Sequence, residues 1–203
     1  MSRLKLIAFG HALVLAACTG GSMGSNGLIG GDGTINWTHY DIDYTPITDI
    51  SFAGGSGQLL TQIFGNPFSL PQEQFDKAVT DAMYGAHFGP PTHFTTTPIG
   101  DFRRSFYVRL VFGSSFPISI NTICIAPPEG PRIGANQGEV RLSAAFCQEG
   151  RPLTYLEGGG KGYSGPSDPR FVEFIKLVTF NLFPPQNPEL RRGQPDNCRF
   201  STC

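Results

Sequence analysis

Between Ser105 and Phe112 the side chains alternate. Phe106, Val108, Leu110 and Phe112 fall on one side, Tyr107 and Arg109 on the other. In an extended chain successive side chains point to opposite faces, so this spacing predicts a strand with one wholly apolar face. Such a face must be covered by another layer. Two segments have the helical spacing to cover it. From Pro71 to Tyr84, Phe75, Val79, Ala82 and Met83 form one stripe, with Ser69 as candidate N-cap and Gly85 as the stop. From Ser167 to Leu182, Phe171, Phe174, Ile175, Val178 and Leu182 form another, widened by Leu177 and Phe180. Ser167 or Asp168 would cap it, Pro169 suits its first turn, and Pro184-Pro185 ends it.

Three further runs read as strands: Ile118 to Ala126, Gly138 to Gln148, and Pro152 to Glu157. Gln148-Glu149-Gly150-Arg151 is short and places Gly where a left-handed residue is needed, which predicts a tight hairpin. The segment from Thr34 to Tyr44 is rich in β-formers and could lead the domain, whereas Pro, Gly and Asn between Pro46 and Pro67 predict mostly loop. The expected fold class is α+β: an antiparallel four-stranded meander sheet with two helices packed on one face, filling residues 34–190. The other face, bearing Tyr107 and Arg109, would be the contact surface. At 39% hydrophobic and 12% aromatic, the composition supports a real core.

Residues 1–5 are basic and Leu6 to Ala17 is apolar, broken only by Gly10 and His11. The run falls short of the ~20 residues that span a bilayer. A basic start, a short apolar centre and small residues describe a secretory signal. Leu15-Ala16-Ala17-Cys18 resembles the lipobox of bacterial lipoproteins. That resemblance implies cleavage after residue 17 and fatty acyl chains on Cys18, with two or three chains needed for lasting attachment. Thr19, where an Asp would favour inner-membrane retention, implies the outer membrane, facing the periplasm. Thr19 to Gly33 holds seven Gly in fifteen residues and reads as a flexible tether spanning ~20 Å. No Lys-Ser/Thr closes it, so it is no phosphate-binding loop.

With Cys18 assigned to lipid, four cysteines remain: Cys124, Cys147, Cys198 and Cys203. An even remainder in an exported chain suggests two bridges, with three connectivities open. Register favours Cys124–Cys147: pairing these across two antiparallel strands sets Ile125 opposite Phe146, so the apolar faces agree. Cys198 and Cys203 would then close a ring in the tail, residues 191–203.

The net charge of −1, about −3 once Arg3 and Lys5 are removed, speaks against nucleic acid. Gly20-Gly21-Ser22-Met23-Gly24 has the G-x-S-x-G pattern, but it lies in the glycine-rich tether with no strand before it and no helix after it, so it makes no nucleophile elbow, and no CxxC or zinc spacing occurs. His39, Asp41 and Asp43 alternate on a strand and could offer ligands. His87 and His93 could join His39 on a metal, although a solvent face explains them as well. Phe88, Phe94 and Phe102 fall in expected loops and could form a binding patch.

The stretches Phe94-Thr95-Thr96-Thr97-Pro98, Ala144-Ala145-Phe146-Cys147, Asp168-Pro169-Arg170-Phe171 and Leu182-Phe183-Pro184-Pro185-Gln186-Asn187-Pro188 resemble uncharacterised envelope lipoproteins of alphaproteobacteria. The expected architecture is also similar to the lipoprotein subunit of the outer-membrane lipopolysaccharide translocon, an analogy of fold alone. The expectation is a non-enzymatic binding or envelope-assembly component. It needs no cofactor or metal, is held to the membrane by its lipid anchor, and recognises an envelope protein or glycolipid. The alternative is a periplasmic, metal-dependent enzyme using His39, His87 or His93.

Overall fold

The computed structural model describes residues 33–113, 117–125 and 139–192. Cys18, Cys198 and Cys203 lie outside the described residues, as do the signal and nearly all of the tether and tail. Eleven elements follow in order among those described: β1 (Thr34–Tyr40), α1 (Pro46–Ala53), β2 (Gln58–Phe64), α2 (Gln72–Met83), β3 (His93–Thr95), β4 (Phe106–Phe112), α3 (Ile120–Ile123), β5 (Val140–Gln148), β6 (Arg151–Gly160), α4 (Pro169–Leu182) and α5 (Pro188–Arg192).

The class is α+β, but the sheet is larger than expected and mixed. Its six strands run in the order β1-β6-β5-β4-β2-β3. β4, β5 and β6 are antiparallel neighbours, and β1 adds antiparallel to β6. β2 instead pairs parallel with both β4 and β3. The β2–α2–β3 crossover supplies the long connection that parallel neighbours require.

The segment from Pro46 to Pro67 is therefore not mostly loop. Pro46 opens α1, where a missing N–H costs nothing. In β2, Leu59 and Thr61 are buried, a period-two pattern masked in sequence by the flanking Gly and Pro. Gly65 ends the strand with φ +77°, and a Cβ there would lie 2.3 Å from the Phe112 carbonyl oxygen.

Ile118 to Ala126 is likewise not a strand. Ile118 and Ile120 keep one phase and Ile123 and Ile125 the other, and the three-residue step between them is a helical turn. Ser119 caps that turn by accepting from Asn121 N. α2 begins after Pro71, with no side-chain cap from Ser69; the Gln72 amide instead reaches Gly65 O and Asp76. α4 begins as expected, with Asp168 accepting from Arg170 N.

The core lies between the inner sheet face and the helices. All four inward residues of β4 are buried, as are the expected stripes of α2 and α4, although Leu177 and Phe180, expected to widen the α4 stripe, are only half-buried. Aromatic rings fill the interior: Phe75 meets Phe112 edge-on at 4.9 Å, Phe68 meets Phe171 at 5.2 Å, and Phe146 lies 4.9 Å from Phe183. The β5–β6 hairpin turns as expected on Glu149 (φ 52°) and Gly150 (φ 83°). No helix among the described residues is long and apolar enough to cross a membrane.

Candidate functional site

The outer sheet face is not the open surface that alternation suggests. Residues 117–125 lie across it as a strap. Ile123 and Cys124 pack against Ala145, Cys147 and Tyr155 in a second, smaller core. Four polar contacts and one covalent bond fasten the strap. The Tyr107 hydroxyl donates to Cys124 O, and Tyr155 donates to Ile118 O at 2.7 Å. Ile118 N donates to Ser143 Oγ at 3.1 Å. Arg109, 6% exposed, donates to Ile123 O at 2.7 Å and twice to Gln62 Oε1. Burial pulls its guanidinium below the ordinary arginine value, and satisfied donors are what let the charge remain inside.

The covalent bond is the expected disulfide between Cys124 and Cys147, Cα–Cα 5.8 Å. The pairing is right, but the reason given by sequence is not. Cys124 caps α3, whereas Cys147 points outward from β5, whose neighbours in register there are Tyr107 and Pro152. Ile125 is 72% exposed and does not face Phe146. Tyr107 and Arg109 thus hold the strap and leave little of themselves to a partner.

A cleft of about 660 Å³ lies at the end of the sheet where β1 and β5 begin and β4 and β6 finish. Its floor is the glycine run that closes β6. Gly158 faces inward, where a Cβ would sit 2.7 Å from Thr34 O and 3.4 Å from the Phe174 ring. Gly159 is paired with Thr34 on one side and Arg141 on the other, and a Cβ there would meet Val140 O at 2.4 Å. Both positions need glycine for close approach, and at Gly159 the result is bare backbone between polar walls.

Glu157 on β6 and Lys161, just past its end, flank this floor, and Glu139, Arg141 and Ser143 line the side at the start of β5. Glu139 and Arg141 pair at 3.1 Å. Glu157 Oε1 lies 2.7 Å from the Tyr155 hydroxyl oxygen and shares that hydroxyl's one proton with Ile118 O. Burial first, then that bond to a carboxylate, pushes the Tyr155 phenol far above its ordinary value. The phenol therefore stays protonated and a donor.

The three histidines are not brought together. His39 on β1 stacks on Trp37 at 6.1 Å, at one edge of the sheet. His93 on β3 stacks on Tyr84 at 4.6 Å, at the opposite edge. His87 is half-buried, with Nε2 at 2.8 Å from Pro90 O and its ring edge-on to Phe94 at 5.4 Å. Asp41 and Asp43 turn toward Arg151 at 3.4 and 3.8 Å. Among the described residues no group of three His, Cys, Asp or Glu is placed to hold a metal ion.

The aromatic patch also disperses. Phe94 is buried on β3, Phe88 is half exposed, and Phe102 lies under Arg104 at 5.4 Å. Sequence reasoning missed the cleft. Its one legible signal was Gly158-Gly159-Gly160 following a strand-like run, with charged residues on both sides.

No protein-family model, no curated protein and no solved structure matches the chain.

Proposed function

We propose that this chain is a periplasm-facing envelope lipoprotein, anchored through acyl chains on Cys18 and acting as a non-enzymatic binding or assembly component. The observation that carries the reading is the buried Cys124–Cys147 bridge that ties the strap to β5. Such a structural bridge belongs to an oxidising compartment. A leader ending in Leu15-Ala16-Ala17-Cys18 provides the route to one, and the acyl chains would provide the attachment. A cleft lined by both charges and hydroxyls offers groups that recognition of a polar partner uses. An envelope protein or a glycolipid is the class of partner, and the outer membrane is the favoured location.

The test is the intact mass of the processed chain from a bacterial host, with and without globomycin. Two or three acyl chains on a chain beginning at Cys18 are expected, with precursor accumulating under the inhibitor. A mass equal to that of the amino acids alone, in material that washes off membranes, would overturn the reading. Stoichiometric zinc in the purified protein would instead favour the metal-dependent enzyme.

A further inference from the structure

We infer that β1 is an interface: it pairs antiparallel with β1 of a second copy of this chain, about a two-fold axis through Thr38. The inference stands apart from the lipoprotein reading and holds whether or not Cys18 is acylated. Three observations carry it.

The first is the direction of the backbone groups. β1 lies at one margin of the sheet and, among the described residues, pairs with β6 alone. In an antiparallel pair, alternate residues turn both N–H and C=O toward the neighbour, and those between turn both away. Asp41 N donates to Leu153 O at 2.9 Å, which fixes the phase. Trp37 and His39, in register with Glu157 and Tyr155, therefore face β6, and Thr38 turns its N–H and C=O outward. Nothing among the described residues bonds to that outward pair.

The second is the lack of a guard. Sheet margins are shielded by charge, proline or brevity, because a bare margin is a template for another strand. The opposite margin is shielded: β3 has three residues, with Pro90-Pro91 before it and Pro98 after. β1 has seven residues, TINWTHY, and none is Pro, Lys, Arg, Asp or Glu. The irregularity between Ile35 and Trp37 interrupts only its beginning. α4 packs more on β6 than on β1, so the helical layer thins toward this margin.

The third is self-complementarity, which selects the occupant. An axis through Thr38 lets the two Thr38 residues exchange both backbone hydrogen bonds. It sets Trp37 of each copy opposite His39 of the other. Opposed residues share a face. Trp37 lies edge-on to Tyr155 at 5.2 Å, so Trp37 and His39 are on the outer face, while Thr38 shares the inner face with buried Tyr40. Ring then meets ring outside and Thr meets Thr inside, both favourable cross-strand pairs. Trp37, 45% exposed, gains cover. An axis through His39 would instead set Trp37 against Asp41, which Arg151 already engages. With no Lys, Arg or carboxylate on β1, two copies meet without like-charge repulsion.

The full chain is studied by sedimentation equilibrium in a non-ionic detergent density-matched to the buffer. A strand pair is a small interface, so a reversible dimer is expected at about 200 µM and a monomer at about 2 µM. Hydrogen exchange, read residue by residue, should be about fivefold slower for the Thr38 amide at the higher concentration. The Asp41 amide, bonded to Leu153 O, should be equally slow at both. Thr38→Pro removes the bridging N–H where a margin strand tolerates proline, and should abolish the dimer with circular dichroism unchanged. A monomer at the higher concentration, the result for a margin that serves a strand of another protein, would overturn the inference. So would a dimer whose Thr38 amide exchanges as fast as in the monomer, or one that persists in folded Thr38→Pro. Should that variant fail to fold, exchange at the wild-type amide still decides.

Discussion

Asp168 concentrates several local constraints in one carboxylate. It caps α4 by accepting from Arg170 N at 2.9 Å, accepts from Ser164 N and Oγ at 3.0 and 3.1 Å, and pairs with the Arg170 guanidinium at 2.9 Å. The Arg170 side chain first, then the backbone N–H groups of Ser164 and Arg170, hold its carboxyl far below the usual range. A carboxyl depressed on folding adds stability above its unfolded value, near pH 4, and loses it as pH falls toward the folded value. Asp168→Asn keeps a cap acceptor but removes the charge. Urea unfolding of the wild type should therefore weaken below about pH 4, with a shallower dependence in the variant; parallel curves would refute the assignment. The cap was legible in sequence because Asp-Pro-Arg before an apolar stripe is a local signal. The role of Ser164 was not, because a turn brings it back onto the carboxylate.

The strap shows how an element can be misread while its chemistry is read correctly. The sequence gives a β-rich run of isoleucines, and only the break in phase between Ile120 and Ile123 betrays the helical turn. The cysteine pair was recoverable from parity and export logic, but its geometry was not, since a helix cap and a sheet face have no common register. Because the bridge closes a loop with sequence separation 23, its removal should lower the unfolding free energy by about 3 kcal/mol on the chain-entropy account. Denaturation of Cys124→Ala/Cys147→Ala against wild type measures this, and matched midpoints would show that Arg109, Tyr107 and Tyr155 hold the strap unaided. β2 teaches the converse lesson. Its alternation was present, but short length and flanking Gly and Pro gave loop signals of equal strength. Pairing with β4 resolved the ambiguity by burying Leu59 and Thr61.

For the whole molecule, two buried phenols tie stability to alkaline pH. Tyr44 donates to Leu182 O at 3.1 Å, and burial, then Asp49 and Tyr40, raises it far above the ordinary phenol. Tyr155 is raised in the same direction on the opposite side of the sheet. A phenol raised on folding contributes fully below its unfolded value, near pH 10, and loses that contribution as pH climbs through the folded value. Two of the six tyrosines should therefore stay unionised in phenolate absorbance until the chain unfolds. Early titration of all six in the folded protein would contradict this.

Residues close in sequence were enough to specify the β5–β6 hairpin, the apolar stripes of α2 and α4, the cap of α4 and the inward face of β4, because period and capping are local. The parallel addition of β2 and β3, the strap over Arg109, the scatter of the three histidines and the polar cleft over Gly159 depended on which distant segments met. Strand order and coverage of a face are settled by burial and backbone pairing across long separations, and no short window of sequence contains those terms.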